Sequence, residues 1–483
     1  YHETGGAICE VNAGPGFRMH VAPSEGTPRD VAGPVVDGLF PPGAPSRIPI
    51  ASITGTNGKT TTSRMLAHIL KLSGFTVGLT STEGVYIDGS LTVKGDMTGP
   101  VSAQMVLRDP SIDAAVMETA RGGMLRGGIG YRNCNVACCL NISADHLGVK
   151  GIDTLEQLAE IKRVPIEIAT DAAVLNADDP HCLKMADYTD AARLCYVTMN
   201  ANHPLVKQHI QAGGQAFVLE AGMNGHMITI YGSDTHIPLL WTHLIPATIE
   251  GKAMHNVQNA MFAAALAYNM DVSLDNIRQG LRTFGTSFFQ APGRMNMFDE
   301  HPFKVMLDYA HNPAAVKAIC ELIGRLDVDG RRVIVLAAPG DRRDEDIREI
   351  AINAAPYFDH FICKRDDNLR GRGENEVPEL LRSALVEAGV SEDRIEIVAD
   401  EQQAVTHGLS SCAAGDMLLV LGDDIRRCWK QIIYFEADES IVPKESGGKR
   451  QLTIPKFEFE LDPSFELIQD ERGVRVARDE DGD

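Results

Sequence analysis

A lysine followed by three threonines, directly behind the second of two glycines, appears in Gly55-Thr56-Asn57-Gly58-Lys59-Thr60-Thr61-Thr62, and no plain turn needs that combination. It suits a phosphate chain. Entered from the apolar run Ile48 to Ile53 and followed by Met65 to Leu70, it reads as strand, glycine loop, helix. The loop N–H groups and the positive helix end would face the phosphates, Lys59 would neutralise the outer ones, and the Thr60 hydroxyl would ligate Mg²⁺. The strict eight-residue pattern wants Gly where Ile53 stands, so the match is to the shorter Gly-x-x-Gly-Lys-Thr form.

Other reactive side chains stand where strands should end. Glu118 closes the run Asp113 to Met117, and Asp145-His146 follow the apolar stretch Val136 to Ile142. Lys162 lies four residues after Leu158 and seven after Leu155, on the helix side that should face the protein. Snorkelling to solvent, or an early helix end at Pro165, would explain it without a site. Asn176-Ala177-Asp178-Asp179 and His255-Asn256 with Asn259 offer amides able to read an adenine edge, and equally able to cap helices. Three more charged strand ends follow: Asp308-Tyr309-Ala310-His311-Asn312-Pro313, Gly340-Asp341-Arg342-Arg343-Asp344 and Asp366-Asp367-Asn368-Leu369-Arg370. A solvated loop explains one such cluster. Three in succession line one rim of a parallel sheet.

The elements positioning these residues divide the 483-residue chain into segments. Residues 1–45, rich in Gly and Pro, read as a stiff linker. Residues 46–291 alternate strands with helices, with a hairpin signal at Asn224-Gly225. Residues 292–440 restart the rhythm with five strands, a second doubly wound domain. Residues 441–483 read as a partly disordered tail. The fold class is α/β.

A composition of 44% apolar and 23% charged residues is that of an ordinary soluble protein, and a net charge of −21 argues against nucleic acid as a partner. No apolar run is long enough to cross a bilayer and no signal peptide opens the chain, so the expected location is the cytoplasm, with no membrane partner. The ten scattered cysteines read as reduced core thiols. The chain begins at Tyr1 rather than Met and is expected to be a truncated product.

With these residues assembled, the chain resembles the Mur ligases, ATP-dependent amide ligases that include folylpolyglutamate synthetases, and most closely the cyanophycin synthetase family. Family-wide matches are Gly55 to Thr62, Glu118, Asp145-His146, Asn176 with Asp178 and Asp179, His255-Asn256 with Asn259, Arg294, and Asp308 to Pro313. The narrower likeness rests on Glu118 to Arg126, Gly95 to Pro100, Pro339 to Asp346 and Asp366 to Arg372. Cys9 to Gly16 looks like the end of an ATP-grasp domain, in which Glu10 and Asn12 would hold Mg²⁺.

The resemblance implies a P-loop Mur ligase-like central ATPase domain and a smaller doubly wound α/β C-terminal domain. It implies that ATP and Mg²⁺ are used to add L-arginine to the β-carboxylates of an aspartate-rich polymer through an acyl phosphate. Lys59, Glu118, His146 and Lys162 would be catalytic, and Thr60, Glu118, His146 and Lys162 the metal site. Lys162 aligns with the lysine that many Mur ligases carbamylate. The nucleotide would meet Gly55 to Thr61, Asn176, Asp178, His255, Asn256, Asn259, Arg294 and Asp308. Arg121, Arg126, His311, Asp341, Arg342, Asp366, Asp367 and Arg370 would meet the substrates, with Asp366 and Asp367 on the guanidinium. A homo-oligomer is expected. The alternatives are a cell-wall-peptide or folylpolyglutamate ligase, or a non-catalytic assembly fragment.

Overall fold

Strands of small and β-branched residues buried on both faces need helices on each side, and this governs the part of the chain from Pro49 onward. The computed structural model describes residues 5, 11–44, 46–233, 235–437 and 459–478, and Glu10 lies outside them. The chain forms two compact units, Tyr1–Ile48 and Pro49–Asp483. In the first, the helices Arg18–Val21 and Ala32–Leu39 bury no residue. Short helices thus form within the Gly- and Pro-rich opening, the second of them containing Pro34.

In the second unit, β1 (Ile50–Thr54), β2 (Val77–Ser81), β3 (Gly84–Ile87), β4 (Ser90–Lys94), β5 (Ala114–Glu118), β6 (Cys134–Cys139), β7 (Ala169–Asn176), β8 (Arg193–Thr198), β9 (Gln215–Gly222), β10 (Gly225–Gly232) and β11 (Thr235–Trp241) make one sheet. Its order is β11-β10-β9-β8-β7-β6-β1-β5-β2-β3-β4. Pairing is parallel from β9 through to β2, with antiparallel ribbons at both edges, including the expected Asn224-Gly225 hairpin. β1 lies between β5 and β6, so the loop after it opens where the winding reverses, the place where such sheets bind ligands. The helices Lys59–Leu72 and Met254–Asn269 cover one face; the latter buries Ala260, Ala263, Ala264 and Ala267, whose small side chains allow close approach.

The second sheet contains β12 (Asn296–Phe298), β13 (Lys304–Asp308), β14 (Arg332–Leu336), β15 (His360–Cys363), β16 (Ile395–Ile397) and β17 (Met417–Leu421), in the order β12-β13-β17-β14-β15-β16. The five expected strands are present and parallel. Antiparallel β12, hidden behind Pro292-Gly293-Arg294 in the sequence, closes one edge. Among the described residues the cysteines are free and buried, and no helix is long and apolar enough to cross a membrane.

The C-terminal segment holds an element that its composition conceals. β18 (Leu467–Asp470) and β19 (Gly473–Val476) form a hairpin that returns to the first sheet. The buried His209 ring holds it: Nδ1 accepts from the Val474 N–H at 2.9 Å, and Nε2 lies 3.2 Å from the carbonyls of Leu194 and Gln215. A Cβ on Gly214 or Gly473 would stand 2.2 Å from that ring, so both positions require glycine. Arg475 pairs with Asp187 at 2.7 Å, and Arg472 donates to the Thr189 carbonyl at 2.6 Å.

Burial lowers the His209 pKa below 6.5, and its neutral form is the one that accepts from Val474. A pKa lower in the folded state gives stability that is full above 6.5 and lost as pH falls. Protease nicking within 459–478 should therefore accelerate as pH is taken from about 7 to about 5. Unchanged nicking would show that this histidine does not hold the hairpin.

Candidate active site

The loop after β1 is shaped by contacts that allow no side chain at two positions. Gly55, at φ 142°, would place a Cβ 2.9 Å from Leu140 Cβ, and Gly58, at φ 87°, one 2.2 Å from Asn259 Oδ1. Asn141 holds the strand between them: its Oδ1 accepts from the Asn57 N–H at 2.9 Å and its Nδ2 donates to the Asn57 carbonyl at 3.2 Å. Lys59 Nζ folds back to donate to the carbonyls of Gly55 and Thr56, at 3.0 and 2.8 Å.

Lys162 reaches the same place. The helix Leu155–Glu167 starts with a Thr154/Gln157 capping box and runs two residues beyond Pro165, so the proline does not end it there. Its buried face includes Leu158, Lys162 and Ile166, and Lys162 Nζ donates to the Gly55 carbonyl at 2.7 Å. Burial and the nearby Lys59 charge bring the Lys162 pKa from 10.5 to about 7.

Glu118, at the end of β5, accepts from Thr60 Oγ1 at 3.0 Å and from the Thr82 N–H at 3.3 Å. Burial raises its pKa, against the opposing pull of Lys59 and Arg294. Arg294 comes from the second sheet, its Nη2 lying 3.4 Å from Thr60 Oγ1 and its guanidinium 5.2 Å from the Tyr309 ring centroid. Asp308 fixes the turn behind it by accepting from the N–H groups of Met295 and Ala310, each at 2.8 Å.

A second contact between the sheets gathers around Asp145. Arg342, itself 3% exposed, pairs with Asp145 at 2.9 Å and with Asp341 at 2.8 Å. Burial alone would raise the Asp145 pKa, but His311, Arg342 and His146 together keep it low. The same guanidinium lies 3.1 and 3.2 Å from the two ring nitrogens of His146, a residue held at φ 57°. Burial keeps that ring neutral, with a pKa of about 4. Arg121, expected to grip polymer carboxylates, instead donates to the carbonyls of His146 and Val149 at 2.6 and 2.5 Å, while Arg126 is exposed.

The amide candidates are tied into the scaffold. Asn176 Nδ2 donates to the Leu140 carbonyl at 2.7 Å, Asp178 accepts from Thr198 Oγ1 and the Met199 N–H, and Asp179 caps the helix Pro180–Lys184. Burial raises the Asp178 pKa to about 6. His255 Nε2 lies 3.1 Å from Met295 Sδ, Asn256 Nδ2 donates to the Ala247 carbonyl at 2.8 Å, and Asn259 Nδ2 donates to Asn256 Oδ1 at 2.9 Å.

Above the ends of β13, β14, β15 and β17 lies a small cavity lined by residues including Tyr309, His311, Pro339, Asp366 and Asp423. Asp366 is 8% exposed, and burial raises its pKa to about 6. Asp367 turns away and pairs with Arg427 at 2.6 Å, and Arg370 pairs with Asp341 at 2.8 Å. Beneath them Lys364 and Glu401, both fully buried, pair at 2.8 Å. Burial alone would raise the Glu401 pKa, but Lys364 and its hydrogen bonds bring it to about 2. Asp423 was missed from sequence although it follows β17 as Asp366 follows β15. Lys364 and Glu401 carry no local signal, because they meet only in the fold.

The Mur ligase middle domain family matches residues 53–267, and the Mur ligase glutamate ligase domain family matches residues 293–423. The chain belongs to the Mur ligase family. Its curated relatives include the cyanophycin synthetase of Nostoc sp., 46% identical over 89% of this chain and 47% of that protein, and that of Synechocystis sp., 44% identical over 88% and 48%. The chain thus spans about half the length of these relatives. A UDP-N-acetylmuramoyl-L-alanyl-D-glutamate–2,6-diaminopimelate ligase from Corynebacterium efficiens is 29% identical over 82% of this chain and 72% of that protein. The fold is shared with a bifunctional folylpolyglutamate synthase/dihydrofolate synthase from Yersinia pestis, solved complexed with AMPPNP and Mn ion (TM-score 0.59, 20% identity, 82% of this chain and 89% of that one).

A buried lysine whose pKa falls from 10.5 to about 7 destabilises the fold. The unfolded chain binds the proton more tightly, so the penalty is full below about 7 and disappears as pH rises through 10.5. Lys162→Met should raise stability at pH 7 by about 1–4 kcal/mol, with the gain shrinking towards pH 10. Denaturant titration at both pH values checks this, and a loss of stability at pH 7 would contradict it.

Proposed function

We propose that this chain is the arginine-adding part of a cyanophycin synthetase, an ATP-dependent ligase that joins the α-amine of L-arginine to the β-carboxylate of aspartate in a polymer. Residues 46–291 would bind the nucleotide and residues 292–440 the incoming amino acid. The observation that carries the reading is the convergence of Lys59, Lys162 and, from the second sheet, Arg294 on the Gly55–Thr60 loop. Three basic side chains gathered at one glycine loop, two of them full cations at pH 7, call for a polyanion.

The γ-phosphoryl group of ATP passes to a carboxylate oxygen, breaking its bond to ADP and giving an acyl phosphate. The amine then attacks the carbonyl carbon, the new C–N bond replaces the C–O bond to phosphate, and the amide is left. Lys59 and Arg294 spread the charge that develops in the first step, and pairing of the two sheets keeps water from the acyl phosphate.

Thr60 and Glu118, two hard oxygen donors 3.0 Å apart at the end of the phosphate loop, fit a Mg²⁺ ion, which would neutralise phosphate charge when bound. His146 does not fit a second ion in this arrangement, because the Arg342 guanidinium stands against both its ring nitrogens. Lys162, near neutrality at pH 7, has the free amine that carbamylation requires.

On this reading the guanidinium partners are Asp366 and, in place of Asp367, which Arg427 already engages, Asp423. A planar cation between two carboxylates is well matched.

Lys59→Ala should abolish arginine-dependent ADP release with an unchanged thermal melt; retained turnover would remove the phosphate loop from the reaction. Asp366→Asn and Asp423→Asn should each raise the KM for arginine roughly tenfold or more while leaving that for ATP alone. Equal rises in both KM values would place these carboxylates elsewhere. Running the assay with glutamate and diaminopimelate as well separates this reading from that of another Mur-type ligase.

A further inference from the structure

We infer that Asn57 and Asn312 form a neutral amide latch that holds the phosphate loop against the second sheet, a positioning role that rests on the nucleotide reading of that loop. Asn57 is freed for this by Asn141, which takes both of its backbone polar groups and leaves the side chain to project from the loop. That side chain exchanges two hydrogen bonds with a residue 255 positions away: Asn57 Nδ2 donates to Asn312 Oδ1 at 3.2 Å, and Asn312 Nδ2 donates to Asn57 Oδ1 at 2.8 Å.

The orientation of the Asn312 amide is not arbitrary. Its Oδ1 also accepts from the Ala315 N–H at 2.9 Å as the N-cap of the helix Pro313–Arg325, so its NH₂ group must face the loop. The two residues hold equivalent places, each after a parallel strand and shortly before a helix, β1 in one sheet and β13 in the other.

The links that face the phosphate loop and Asp145 are charged: Arg342 to Asp145, and Arg294 towards Thr60 and Glu118. Phosphates and carboxylates of incoming substrates compete for such cations. An amide pair carries no charge, so it persists while the cations turn to their ligands. When the sheets part, both amides are hydrated. When they are together, loss of one partner leaves the other unsatisfied, and Asn312 is fully buried. Weakening the pair therefore disfavours the joined arrangement rather than the binding of phosphates to the loop.

Single-molecule FRET on the full chain, with dyes at the exposed Ser90 and Ser383, reads the arrangement directly. Asn312→Asp keeps the N-cap acceptor and loses the NH₂ donor, so its melting temperature should stay within about 2 °C of the parent. With AMPPNP and Mg²⁺, its joined-to-parted ratio should fall about tenfold, and amide formation should fall in step while ADP release without amide rises. Asn57→Ser should act likewise, and the double variant should be no worse than either single one. An unchanged ratio, or effects that simply multiply, would overturn the latch. Running the same cycle without nucleotide keeps the two questions apart: non-additivity there supports the latch even if AMPPNP does not bind, a result that would count against the nucleotide reading alone.

Discussion

One carbonyl oxygen, that of Gly55, accepts from two lysines, Lys59 at 3.0 Å and Lys162 at 2.7 Å. Burial of the Lys162 amine, and then repulsion from the Lys59 ammonium that shares its acceptor, bring its pKa down from 10.5 to about 7. The neighbouring Glu118 is itself buried, with its pKa raised, and is held by Thr60 and Thr82. The loop is therefore short of negative charge, which a phosphate chain would supply on the proposed reading. The glycines at 55 and 58, which permit the tight path, bring these groups together at the end of β1.

The fold serves that point twice. In the first sheet the winding reverses beside β1, opening the crevice. In the second sheet the ends of β13, β14 and β15 present Asp308, Arg342 and Asp366; Arg342 also fixes the contact with the first sheet, and Asp308 the turn that carries Arg294. The cavity above the second sheet and the segment after β6 are joined through His311, which lines the former and lies 3.9 Å from Asp145 in the latter. The buried Lys364–Glu401 pair gives the cavity floor a fixed charge pattern, at the expense of desolvating both ions.

Much of this was legible in the sequence. The parallel strands followed from short runs of branched residues, the glycine loop from its spacing, and the burial of Lys162 from its place four residues after Leu158. What escaped was set by partners far away along the chain. Asp367 looked as suitable as Asp366 until Arg427 claimed it, and Arg121 looked like a surface anchor until two carbonyls of the 146–149 loop took its guanidinium. The hairpin β18–β19 has too few apolar positions to show a period, and it is stable only because His209 and Asp187 await it. Asn312 could be read as a helix cap, but not as the partner of a residue 255 positions earlier.

The central claim is that the glycine loop holds a nucleotide whose terminal phosphoryl group is passed to a carboxylate. Polymer labelled with ¹⁸O in its aspartate carboxylates, incubated with this chain, ATP, Mg²⁺ and L-arginine, tests it directly. The account predicts one labelled oxygen in each inorganic phosphate released. Label in AMP, or unlabelled phosphate alongside amide formation, would contradict it.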